Sequence, residues 1–116
     1  MENWTPQEVA DALEKGEIIF VDVREPAEFE QERIRGALLY PLSTFDPGGL
    51  PLGQGKKVVL SCKAGGRSAQ AVNACMGAGL DVTAHLASGM EGWKAAGLSY
   101  FRINPATGRM EEAASA

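Results

Sequence analysis

The chain has 116 residues, 45% of them hydrophobic and 22% charged, which suits one soluble globular domain with enough mass for a core. A formal net charge of −4 disfavours general affinity for nucleic acid or for an anionic membrane. The opening Met1-Glu2-Asn3-Trp4-Thr5-Pro6 has no basic stretch leading into an apolar one, and no apolar run is long enough to span a bilayer, so the cytoplasm is the expected compartment.

Thr5-Pro6-Gln7-Glu8 reads as a capping box with proline at the first helical position. Val9, Ala10, Ala12 and Leu13 supply an apolar face, and Gly16 a stop. Ile18-Ile19-Phe20-Val21-Asp22-Val23 is a continuous β-favouring run suited to a buried parallel strand. Asp22 and Arg24 interrupt it at its carboxyl end, where α/β sheets place ligand sites; a functional pair and a pair that merely closes the strand are both open.

Glu25 to Glu32 reads as a short helix with Pro26 in its first turn and its acidic run on a solvated face. Gly36-Ala37-Leu38-Leu39-Tyr40 reads as a short strand stopped by Pro41. Phe45 to Gly55, rich in Gly and Pro, reads as a loop within the domain.

Val58-Val59-Leu60-Ser61 is a strand that delivers Cys62 into Lys63-Ala64-Gly65-Gly66-Arg67-Ser68, after which a small-residue helical pattern runs to Ala78. Backbone N–H groups of such a loop and of the helix start turn inward and favour negative charge, and a cysteine there gains thiolate character. The paired glycines let the backbone curl, and Arg67 adds a planar fork of donors for an oxyanion.

Cys75 falls about 10 Å along the helix axis from the loop, too far for a disulfide with Cys62, and reads as a small core residue. Val82 to Leu86 reads as a further strand, and His85 within it as a packed or edge histidine. Gly89 to Gly97 suggests a turn and a short helix, and Tyr100 to Ile103 a last extended segment. The domain is therefore expected to cover residues 1–103, with 104–116 a small, polar and poorly ordered tail. No His/Cys cluster has zinc spacing, and no Walker or dinucleotide fingerprint occurs. Strands alternating with helices give an α/β domain with one mostly parallel sheet and helices on both faces.

Cys62-Lys63-Ala64-Gly65-Gly66-Arg67 resembles the active loop of the rhodanese family of sulfurtransferases. Val21-Asp22-Val23-Arg24-Glu25-Pro26-Ala27-Glu28-Phe29 with Ile34-Arg35-Gly36-Ala37 resembles the family's N-terminal signature, and Leu86-Ala87-Ser88-Gly89-Met90-Glu91-Gly92-Trp93 its C-terminal one. The likeness runs from about Thr5 to Leu98. Arg33 and Ser88 depart from the histidine and glycine common there.

The resemblance implies a rhodanese-like fold and a Cys62 persulfide formed from a small anionic donor such as thiosulfate. Sulfur would pass on to cyanide, a thiol or a protein, with no cofactor and no metal. Lys63, Ala64, Gly65, Gly66, Arg67 and Ser68 would hold the anion, with Asp22 and Arg24 supporting the loop. The rival of another class is a sulfur-carrier or interaction module loaded by a protein partner, followed by a binding module with an inert Cys62. Cysteine phosphatase or arsenate reductase chemistry is disfavoured, because Lys63 to Gly66 make the loop one residue shorter than the phosphatase loop. Oligomeric state is open.

Overall fold

The computed structural model describes residues 1–114. Five parallel strands form the main sheet in the order β1-β6-β5-β2-β4. They are β1 (Glu2–Trp4), β2 (Ile18–Asp22), β4 (Leu38–Leu39), β5 (Lys57–Ser61) and β6 (Ala84–Leu86). The two runs read from sequence as buried strands, β2 and β5, lie beside each other near the middle, with Phe20 opposite Val59 and Asp22 opposite Ser61.

Helices cover both faces. On one side Val9 and Ala12 of α1 (Pro6–Glu14) and Met90 and Trp93 of α4 (Gly89–Ala95) pack with Phe20, Val59 and Leu86. On the other, Ala71, Val72 and Cys75 of α3 (Gly66–Gly77) pack with Val21, Val58 and Leu60. Alternate residues along β2 and β5 thus feed opposite cores, as the pleat requires. The Thr5–Glu8 capping box forms as expected.

A separate antiparallel sheet, in the order β3-β7-β8, joins β3 (Glu32–Arg33), β7 (Ser99–Ile103) and β8 (Met110–Ala114). The segment expected to be a loose tail beyond residue 103 therefore carries a strand. Asn104 and Gly108 close the turn, with Gly108 N–H to Asn104 O at 2.8 Å and Gly108 at φ +70, and β8 pairs along the whole of β7. Ser115 and Ala116, the last residues of that expected tail, lie outside the described residues. The Gly/Pro-rich loop contains a short 3-10 turn at Pro47–Gly49, and α2 (Pro26–Gln31) carries the acidic run.

Candidate active site

β5 ends at Ser61, so the next residue, Cys62, emerges at the carboxyl edge of the sheet between β2 and β6, and α3 begins at Gly66. The loop is held from outside by α4. The Met90 N–H donates to the Cys62 carbonyl and the Glu91 N–H to the Lys63 carbonyl, both at 2.9 Å. With these carbonyls turned toward α4, N–H groups remain to face the sulfur. Gly65 adopts φ +109 with the Ala87 carbonyl against its Cα, and Gly89 adopts φ +62 against the Cys62 and Lys63 carbonyls; neither place has room for a side chain.

Cys62 is buried, at 1% exposure. Its Sγ accepts a hydrogen bond from the Gly65 N–H at 3.1 Å and lies 3.5 Å from Ser68 Oγ. Burial pushes the thiol up, but hydrogen bonds from the Ser68 hydroxyl and from the Ser68, Gly65 and Ala64 N–H groups outweigh it and leave Cys62 below the ordinary thiol value. Cys75, which has only burial acting on it, is pushed up. The two cysteines are both free thiols with opposite character.

Arg67, expected to face an anion, meets Glu28 of α2. Two parallel bonds, Nη1 to Oε1 at 2.6 Å and Nη2 to Oε2 at 2.9 Å, make a fork-to-fork pair. Arg67 holds the Glu28 carboxyl at about 2, well below its ordinary value. The acidic run on α2 is thus not simply a solvated face, because Glu28 is half-buried in this pair. Lys63 is exposed, with its ammonium 3.9 Å from Glu91. Ala64 and Gly66 are exposed, and Gly65 is buried.

Asp22 and Arg24 form a buried pair at 2.8 Å, and the Arg24 guanidinium also donates to the Glu32 carbonyl at 2.7 Å. Their contact with the Cys62 loop is indirect: the intervening Val23 N–H donates to the Ser61 carbonyl at 2.8 Å. A cavity of about 350 Å³ opens beside the loop, with Arg24, Glu28, Glu32 and Lys63 in its wall.

His85, read as a packing residue, is buried and bonded at both ring nitrogens, Nδ1 to Ser68 Oγ at 2.7 Å and Nε2 to Asn3 Oδ1 at 2.9 Å. No short-range pattern marks it, since its partners are 17 and 82 residues away. Among the described residues no group of His, Cys, Asp and Glu is arranged to hold a metal ion.

The family model for the rhodanese-like domain matches residues 5–96. An uncharacterised protein of Synechocystis is 40% identical over 93 residues, which are 80% of this chain and 52% of that protein. The Mycobacterium tuberculosis protein named probable adenylyltransferase/sulfurtransferase MoeZ is 41% identical over 92 residues, 77% of this chain and 24% of that protein. The chain thus spans about half or less of these relatives. The solved thiosulfate sulfurtransferase of Pseudomonas aeruginosa superposes with a TM-score of 0.77 over 86% of this chain and 20% of that one; at 23% identity, this is a likeness of fold.

Proposed function

The chain belongs to the rhodanese-like family, and from that premise we propose that it is a sulfurtransferase working through a persulfide on Cys62. The observation that carries the reading is a buried cysteine whose sulfur accepts the Gly65 N–H and sits below the ordinary thiol value at the end of a central strand.

In the proposed cycle the Cys62 thiolate attacks the outer sulfur of a donor such as thiosulfate. The donor's S–S bond breaks, sulfite leaves with the bonding pair, and Cys62 carries a terminal anionic sulfur. The Ala64, Gly65 and Ser68 N–H groups that favour the thiolate favour this anion too. An acceptor such as cyanide or a thiol then attacks the terminal sulfur, and the electron pair of the broken bond returns to Cys62 as thiolate. It is double displacement through a covalent intermediate and requires no cofactor. Two free thiols suit a reducing compartment, and the cytoplasm is the proposed one.

A second reading rests on Arg67. With its guanidinium engaged by Glu28, and Lys63 near Glu91, little unpaired positive charge is left for a small dianion. That favours a carrier role, in which a protein partner's persulfide, not free thiosulfate, loads Cys62.

Intact-protein mass spectrometry separates the two. Reduced protein is weighed before and after thiosulfate, then after a persulfidated donor protein, and finally after cyanide. A gain of one sulfur from thiosulfate, absent in Cys62→Ser and removed by cyanide, supports the thiosulfate reading. A gain only from the protein donor supports the carrier. No gain from either sinks both.

A further inference from the structure

We propose that His85 is the proton acceptor for Cys62, reached through the Ser68 hydroxyl, with Asn3 fixing the imidazole in the tautomer the transfer requires. The inference concerns how the Cys62 nucleophile is made, and it stands apart from which donor that nucleophile attacks.

The four side chains form one connected line. Cys62 Sγ lies 3.5 Å from Ser68 Oγ, Ser68 Oγ 2.7 Å from His85 Nδ1, and His85 Nε2 2.9 Å from Asn3 Oδ1. Sheet pairing places Asn3 and Leu60 directly abreast of His85, and Ser68 stands on the first turn of α3 above it. Cys62, Ser68 and His85 are all buried, whereas Asn3 is exposed, so the line leads from an enclosed sulfur to solvent.

Proton positions follow from the acceptor at the outer end. Asn3 Oδ1 can only accept, so Nε2 carries the hydrogen and Nδ1 is a lone pair aimed at the Ser68 hydroxyl. The hydroxyl's other acceptor, the Gly65 carbonyl, is farther at 3.2 Å. In the resting state Cys62 S–H donates to Ser68 Oγ and Ser68 O–H donates to Nδ1. In transfer, the thiol proton moves to Ser68 Oγ as the hydroxyl proton moves to Nδ1. One proton crosses from sulfur to nitrogen, leaving thiolate and imidazolium, and no electrons are exchanged. Afterwards Ser68 donates to the thiolate, and both imidazolium N–H groups have acceptors.

The groups around His85 favour protonation only when the thiolate forms. Burial, first, and then the Met1 amino group on the β1 side lower its proton affinity. On α3, Arg67 is turned to Glu28 and Cys75 is a neutral buried thiol. Cys62 and His85 should therefore titrate as a pair.

His85 acts through Ser68 and is a positioning residue, so the test must read ionisation and not only rate. The measurement is the pH dependence of Cys62 alkylation by iodoacetamide, with peptide mapping to follow Cys75 separately. In His85→Gln, which can hydrogen-bond but cannot take the proton, the midpoint should rise by about one pH unit. The rate near pH 6.5 should then fall about tenfold, with the high-pH plateau and the slow reaction of Cys75 unchanged. In Asn3→Asp, which favours the imidazolium, the midpoint should fall. A folded His85→Gln with the wild-type profile overturns the proposal; should that variant not fold, an unmoved midpoint in Asn3→Asp does so. No sulfur donor enters the experiment, so loss of persulfide formation with this profile intact would strike the proposed function alone.

Discussion

Arg67 and Glu28, 39 residues apart in the chain, face each other fork to fork at 2.6 and 2.9 Å beside the Cys62 loop. The guanidinium that an anionic donor would need is already held by a carboxylate. Any dianion approaching Cys62 must compete with Glu28 for it.

Glu28→Gln should therefore lower KM for thiosulfate by about three- to tenfold, the scale of ~1 kcal/mol for a partly exposed pair. Steady-state thiosulfate:cyanide kinetics would measure it. An unchanged KM would mean that Arg67 takes no part in donor binding.

The same pair gives stability an acid limb. Glu28 sits at about 2 in the folded protein against an ordinary value of 4.5, so its contribution is complete above about pH 4.5 and is lost as pH falls toward 2. Glu2, held at about 2 first by Lys57 and then by Thr83, loses its contribution in the same window. The difference between wild type and Glu28→Gln isolates Glu28: unfolding free energies from urea titration should differ at pH 7 by about 1 kcal/mol and converge as pH falls to about 2 and below.

Gly65 and Gly66 should part company on mutation. Alanine at Gly65 would need φ +109 and would drive its methyl into the Ala87 carbonyl, costing about 2–4 kcal/mol. Alanine at Gly66 meets open space at the start of α3 and should change stability by no more than about 0.5 kcal/mol. Urea unfolding of the two variants checks this, and similar losses would place the tight approach elsewhere.

Asp22→Asn would leave the Arg24 guanidinium buried beside a neutral amide. Unfolding should be easier by about 3–5 kcal/mol, the usual cost of removing one partner of a buried pair. A loss under about 1 kcal/mol would show that the Glu32 carbonyl alone satisfies Arg24.

The central strands and the Cys62 loop were legible because β2 and β5 are β-branched runs ending at charged or glycine-rich residues, a signal local to each segment. β1 and β3 are three and two residues long and owe their form to neighbouring strands, whereas β4, equally short, lies within the Gly36–Tyr40 run that reads as a strand. β8 reads as a small acidic tail because an edge strand of a hairpin needs no apolar run, only the Asn104–Gly108 turn and a strand to pair with. Cys62 announced itself by its setting, whereas Glu28, Asn3 and His85 gained their partners only when distant segments met.

The pairing of β1 with β6 carries a kinetic consequence. Asn3 and His85 stand abreast in the sheet but lie 82 residues apart, so their contact is among the most non-local in the fold and carries a large loop-closure cost. β2 and β5 can dock and enclose most of the core before β1, at the edge beyond β6, zips on. In refolding, the far-UV signal should then recover ahead of neutral-pH reactivity at Cys62: the chain becomes compact first and competent last.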